Sequence, residues 1–444
     1  MIDEIKSMIE SKRFKEVKNM IHNLNAVQIA DVFEELMPSE SVIVFRMLAK
    51  DLAADVFSYL SSEQQLHIIN TITDHEIKNI IDELFFDDMI DIIEEMPSNV
   101  VKKILENTKV EERGLINQFL NYPEFSAGSL MTIEYVDLKR DMTVRQAIDR
   151  IKETGIEKET IYTCYVLGTN RKLEGTLSLK RLIITSDEVT IGEIMSTNFI
   201  AVHTHDDQEE IANLFKKYDL IALPVIDAES RLAGIITIDD IVDVIDQENT
   251  EDFQKMAGIQ PTEEPYLENS VLNMAKHRFI WLMVLMVSAT FTGRIIQKYE
   301  MVLQSVVVLA AFIPMLMDTG GNAGAQSSTM VIRGLALGDL RTKDLFKIVR
   351  KELAVSVVVA TALSIINLLR IVFLEKIDYR IAITVTITLF ITIVLAKVVG
   401  AVLPVVARVV NVDPAVMASP LITTIVDAVA LMVYFALAAV FLGV

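Results

Sequence analysis

Residues 416–442 read VMASPLITTIVDAVALMVYFALAAVFL, a run in which Asp427 is the single charged side chain. A bilayer core takes about 20 consecutive apolar residues as a helix, because inside hydrocarbon every backbone polar group must be bonded within its own segment. The run therefore predicts a membrane-spanning helix, and an acid placed there is costly enough to be a functional suspect. On a helix Asp427, Thr424, Thr423, Pro420 and Ser419 share one face. A carboxylate followed by hydroxyls suits a hydrated hard cation. The other reading is a protonated Asp427 bonded to a neighbouring helix, and no intramembrane lysine is clearly placed to neutralise it.

Working outward, apolar stretches at about 279–298, 301–317, 353–374 and 381–407 bring the expected spans to five. The second is short before Asp318. It continues helically through 318–332 if that polar part is buried in protein. The segment Asp318-Thr-Gly-Gly-Asn-Ala-Gly-Ala-Gln-Ser-Ser-Thr329 has the small residues that let helices approach closely. Orientation follows from the basic residues. Lys276 and Arg278 precede the first span, and Arg333, Arg341, Lys343, Lys347, Arg350 and Lys351 lie between the second and third. These two regions share a side, so the positive-inside rule places that side, and everything before it, in the cytoplasm.

Charge and apolarity are segregated. The whole chain of 444 residues carries a net −20, with 52% hydrophobic residues and a mean hydropathy of +0.40. From His277 onward there are 14 Lys and Arg against 9 Asp and Glu, a net of +5, which leaves −25 for residues 1–276. A soluble region this acidic repels nucleic acid and attracts cations. The single cysteine, Cys164, fits a reducing compartment.

Residues 1–125 read as helical, with a repeat: Leu36-Met-Pro-Ser-Glu, Leu60-Ser-Ser-Glu and Leu84-Phe-Phe-Asp recur 24 residues apart. In the first two, Ser followed by Glu marks a helix start, with Ser as the cap. A solenoid-like stack of short helix pairs is expected. The cluster Asp87, Asp88, Asp91, Glu94 and Glu95 is dense enough to consider ion binding. A second repeat covers about 127–247. Leu130-Met-Thr and Ile194-Met-Ser each lead into strand, helix and strand pair, closing on Gly175-Thr-Leu-Ser and Gly234-Ile-Ile-Thr. These two α/β units resemble a pair of CBS domains, modules that often sense nucleotides. The second copy keeps Thr237 and Asp240 where nucleotide-binding CBS modules contact a ribose; the first has Ser178, with Arg181 in the acid's place. Beyond them Asp239, Asp243 and Asp246 fall along one side of a helix, where like charges repel and a divalent cation would relieve the repulsion.

Over essentially its whole length the chain resembles the MgtE family of magnesium channels and transporters. The resemblance rests on Ser126-Ala-Gly-Ser-Leu-Met-Thr, Gly320-Gly-Asn-Ala-Gly-Ala-Gln-Ser, Ile332-Arg-Gly-Leu-Ala, and Val412-Asp-Pro-Ala with Pro420-Leu-Ile-Thr-Thr-Ile-Val-Asp427. It implies a multidomain membrane protein. An all-α helical-repeat N-domain (1–125) precedes tandem α/β CBS domains (126–189 and 190–246), a linking plug helix (247–276) and a five-helix α transmembrane domain (277–444). It further implies a homodimer in the lipid bilayer of the cell inner membrane, soluble domains cytoplasmic, with a pore on the two-fold axis importing Mg2+. Asp427 matches the family's pore aspartate, and Ser419 stands where members have Asn or Gly beside that ion. Closure by intracellular Mg2+ would use Asp88 and Asp91 from the N-domain, with Asp207, Glu209, Asp219, Asp240, Asp243, Glu251, Asp252 and Asp413. Some members also bind ATP at the CBS pair, for which Thr237 and Asp240 are the candidates here.

Other readings stay open on the residues alone: another divalent cation such as Co2+, Mg2+ export, or a CBS-regulated membrane sensor without flux. Neither lone Cys164 nor His203-Thr-His205 makes a soft-ligand cluster. No P-loop, Gly-x-Ser-x-Gly or His-Glu-x-x-His motif suggests an enzyme.

Overall fold

Ten short helices open the chain in the computed structural model, and their first residues fall at 2, 14, 26, 38, 50, 62, 74, 86, 98 and 110. The structure describes residues 2–262, 266–267, 269–417 and 419–443, the side chains of Ile2, Asp3, Glu10, Glu111 and Ser419 excepted. One helix therefore starts every 12 residues, and the 24-residue motif spacing is two such steps. The core shows why. Val32-Phe33, Val44-Phe45, Val56-Phe57, Ile68-Ile69, Ile80-Ile81 and Ile92-Ile93 are all buried, one apolar pair per step at the same register. Each such side chain contributes about 1.5–3 kcal/mol on burial. Neighbouring steps interlock edge to face, Phe33 on Phe45 at 6.4 Å and Phe45 on Phe57 at 6.1 Å between ring centroids.

The helix starts differ from the expectation that serine caps them. Helix Pro38–Phe45 begins one residue before Ser39, and its cap is made by Glu40, whose carboxylate accepts the Met37 N–H at 3.1 Å. Ser61 makes no side-chain cap, and the Ser62 hydroxyl donates to Glu95 instead. Proline at the first helical position already presets the backbone, so Ser39 falls two residues past the capping position, Met37.

Two three-stranded sheets follow. Strands β1 (Tyr135–Leu138), β2 (Thr160–Leu167) and β3 (Leu173–Ser178) form the first, and β4 (Val202–His203), β5 (Ala222–Ile226) and β6 (Leu232–Thr237) the second. In each the first pair is parallel and the second antiparallel. The leaders are exchanged between the copies. Thr132, ahead of the first, exchanges both backbone hydrogen bonds with Ile235 of β6 at 2.8 and 2.9 Å, and Ser196, ahead of the second, bonds Thr176 of β3. Gly175 and Gly234 permit this, since a Cβ at either would meet the leader's backbone oxygen at 2.9 Å (Ser196) or 2.6 Å (Thr132).

The chain divides into two compact units, Met1–Ile245 and Asp246–Val444. Helix Ile238–Met256 begins directly after β6 and ends before Gly258, whose φ of +69° breaks it. In the second unit Gln254 and Thr262 exchange hydrogen bonds, and Gln260 bonds His277 through its N–H, fastening the segment after this helix to the first membrane helix. Among the described residues five helices are long and apolar enough to span a bilayer: Val271–Lys298, Val307–Ala336, Thr342–Glu375, Tyr379–Val409 and Pro414–Leu442. The second runs through the polar segment as expected. Its glycines explain the burial, because a Cβ on Gly320 would meet Thr392 and Val426, and one on Gly324 would meet Ile422 and the Ala396 carbonyl. The small residues of the second span thus bring it against both the fourth and the fifth.

Candidate functional site

Helix Phe86–Glu95 is one step of the N-terminal stack, and its first turn is acidic. Its opening Phe86 N–H is accepted by Glu134 at 3.2 Å, a carboxylate from the segment leading into β1, well placed at a helix N-terminus. The Glu159 N–H in turn binds the Glu134 carbonyl at 2.9 Å. One carboxylate oxygen from each of Asp87, Glu134 and Glu159 therefore lies within 4.8 Å of the others. Asp88, Asp91 and Asp240 act on the same group electrostatically. Glu159 Oε2 is buried without a hydrogen-bond partner among the described residues.

The electrostatics show the strain of that gathering. Burial, reinforced by neighbouring carboxylates, pushes Asp87 and Asp88 up to about 6 and Asp91 up to about 7. Burial raises Glu134 to about 7, Asp240 to about 7 and Glu159 to about 8. Near neutral pH these groups hold their charges poorly unless a cation joins them. The donors are all carboxylate oxygens, the hard set that suits Mg2+, which fills its remaining positions with water.

The remaining sequence-derived residues are distributed as follows. Asp88, Asp91 and Asp240 come together in the cluster just described. Thr237 is buried and donates to Asp240 Oδ2 at 2.9 Å, so the pair considered for a nucleotide is bonded to itself. Asp207 caps helix Gln208–Tyr218 by accepting the Glu209 N–H at 2.9 Å, and Asp219 ends it in a left-handed conformation, φ 52°. About 18 Å of helix separates those two acids, too far to share an ion within one chain. Glu209 and Asp243 are exposed. In the second unit Glu251 and Asp413 meet through a residue the sequence reading passed over. Lys255 Nζ lies 2.6 Å from Glu251 Oε1 and 2.6 Å from Asp413 Oδ2. Burial alone would lower the Lys255 ammonium, but its bonds to Asp413 and Glu251 carry it above the ordinary value. Burial, then the nearby Asp413 charge, raises Asp252.

In the membrane unit Asp427 Oδ1 is buried with no hydrogen-bond partner among the described residues, and Asp318 of the second span lies within electrostatic reach. The Thr424 hydroxyl donates back to the Pro420 carbonyl at 3.1 Å, so that part of the hydroxyl stripe is engaged by its own helix. The Ser419 side chain lies outside the described residues. Glu134, Glu159 and Lys255 were missed because each sits apart from any motif. Asp87 was legible as part of a dense acidic run.

Comparison with known proteins matches the chain domain by domain. Residues 313–437 match the MgtE divalent cation transporter family, residues 24–125 the MgtE intracellular N domain and residues 191–247 a CBS domain. The magnesium transporter MgtE of Thermus thermophilus is 35% identical over 332 residues, 73% of this chain and 72% of that protein. That of Enterococcus faecalis is 32% identical over 75% of this chain and 72% of its own length. The cytosolic domain of the Mg2+ channel MgtE, crystallised in complex with ATP, superposes with a TM-score of 0.53 at 30% identity, covering 55% of this chain and all of that one. With an acid in the last span, carboxylates gathered in the cytosolic unit and relatives matched along most of its length, this chain belongs to the MgtE family of magnesium transporters.

Proposed function

We propose that the chain imports Mg2+ across the inner membrane as a homodimer, and that Mg2+ accumulating in the cytoplasm closes it by binding the acidic sites. The observation that carries this reading is the gathering of Asp87, Glu134 and Glu159 within 4.8 Å, with Asp88, Asp91 and Asp240 around them. These residues come from the helical stack, the first CBS copy and the helix that leaves the second. A cation there joins all three. Without it, like charges favour their separation, so binding shifts the population towards the joined state. Residues 1–125 and the CBS copies at 126–189 and 190–246 act as the sensor, and the segment 247–276 transmits its state to the pore domain. Glu251, Asp252 and Asp413, with Asp207, Glu209, Asp219 and Asp243, extend the acidic surface. We assign Asp240 to the cation cluster rather than to ATP, because Thr237 already engages it.

In the pore domain Asp427 from each subunit faces a shared axis and holds Mg2+ through its water shell, with Ser419 near the same ion. Mg2+ dehydrates reluctantly, so a pair of carboxylates supplies field while water supplies the octahedral geometry. The membrane potential drives entry: a divalent ion gains about 4.6 kcal/mol per 100 mV.

The test is Mg2+ influx into proteoliposomes, with Mg2+ on the cytoplasmic-domain side stepped from zero upward. Wild-type flux should fall as that Mg2+ rises. Flux indifferent to it would remove the gating reading, and Co2+ carried in preference to Mg2+ would replace the substrate.

A further inference from the structure

Lys397 lies in the fourth span and is only 5% exposed. An ionised side chain buried inside a membrane domain is costly, and a fixed positive charge in a cation's path would oppose conduction. Its ammonium donates to Ser327 Oγ of the second span at 3.4 Å, and the Ser327 hydroxyl donates to Glu352 Oε2 of the third at 2.7 Å. One thread thus ties three spans, with the lysine balanced by a glutamate across a buried serine.

That thread continues a single face of the second span. Gly320, Gly324, Ser327 and Ser328 follow one another at helical spacing. Gly320 and Gly324 touch Thr392 and Ala396 of the fourth span and Val426 and Ile422 of the fifth. The Ser328 hydroxyl donates to the Met417 carbonyl, where the fifth span begins, at 3.4 Å. Val426 directly precedes Asp427. Whatever holds this face in register therefore sets where Asp427 sits. An apolar pair would pack the same helices at less cost, and buried ion pairs are best attested where register must be specified.

We propose that Lys397, acting through Ser327 with Glu352, is a positioning residue that locks the second span against the fifth and so places Asp427 for conduction. The proposal rests on the transport reading above, and a second readout separates the two. A Cβ on Gly321 would lie 3.4 Å from Thr423 Cβ, close to the Cβ separation of about 3.5–4.5 Å that a disulfide spans. Oxidative cross-linking of a Gly321→Cys/Thr423→Cys pair, with Cys164 replaced, therefore reports the register without any flux.

In full-length protein, Lys397→Met should slow cross-linking at least fivefold and lower maximal Mg2+ flux at least tenfold. Glu352→Gln should do the same, because each change leaves the other partner's charge unbalanced. The double variant Lys397→Met/Glu352→Gln, which is neutral again, should recover both readouts to within threefold. A purely packing role would not be rescued by the second change. Wild-type cross-linking rates in Lys397→Met overturn the proposal, as does a double variant that misfolds or cross-links as slowly as the single ones. Absent wild-type flux with the cross-linking pattern intact would sink the transport reading and leave the register role standing.

Discussion

The two compact units treat charge in opposite ways. In the cytosolic unit, Asp87, Asp88, Asp91, Glu134, Glu159 and Asp240 crowd together until burial and mutual repulsion carry them towards neutral pH. In the membrane unit, Lys397 and Glu352 are threaded through Ser327, while Asp427 keeps an oxygen with no hydrogen-bond partner among the described residues. The physical reason is the solvent. A water-facing domain can leave like charges to be settled by protons or by an arriving ion, so its stability becomes a measure of that ion. Hydrocarbon offers no such supply, so each charge must be matched by the chain or by cargo.

The sharpest way to break this contrast is Asp427→Ala. We expect Mg2+ flux to fall at least a hundredfold, with melting and dimer formation in detergent unchanged, because the acid serves cargo rather than the fold. Conduction at the wild-type rate would remove Asp427 from the path.

Neutralising Asp87, Glu134 and Glu159 together as Asn, Gln and Gln should leave maximal flux intact. The Mg2+ needed for half-inhibition should rise at least tenfold. An unchanged inhibition curve would reduce the cluster to a helix cap.

The pH dependence sharpens the same point. The cluster's carboxylates are raised above their unfolded values, so the folded cytosolic unit binds extra protons. That stabilisation is fully present below about pH 4 and is lost as pH rises through about 6 to 8. In chelator, protease protection of residues 1–245 should fall between pH 6 and 8.5, and millimolar Mg2+ should restore it most at the upper end. Protection that rises with pH in chelator would contradict the raised carboxylates.

A smaller effect is expected at Lys255→Met. Removing the ammonium between Glu251 and Asp413 leaves an acidic group that only an added cation can bridge. Protection of helix Ile238–Met256 should then depend on Mg2+ several-fold more steeply than in the wild type. The smallest is Thr73→Ala, which removes an N-cap paired with Glu76 and should cost about 1 kcal/mol in thermal melting without touching flux.

Much of the molecule is legible in its residues alone. Apolar length and basic loops marked five spans and their orientation, because bilayer thickness and membrane potential act on composition alone. Alternating elements marked two similar α/β units. The helical stack was visible at half its true resolution. Loop motifs recur every 24 residues, whereas the buried pairs from Val32-Phe33 to Ile92-Ile93 recur every 12, and burial is what distinguishes those pairs from other apolar neighbours.

What the sequence determined by itself is therefore whatever depends on local composition and spacing: the spans, the acidic soluble region, and Asp427 as the one charge in its helix. Only the tertiary structure decided which distant groups meet. It exchanged the CBS leaders, set Glu134 and Glu159 from two connecting segments against Asp87, put Lys255 between Glu251 and Asp413, and joined Lys397 to Glu352 through Ser327. A contact between residues 70 positions apart has no period to betray it. It exists because packing brings side chains within a few ångströms, where burial and charge decide what they do.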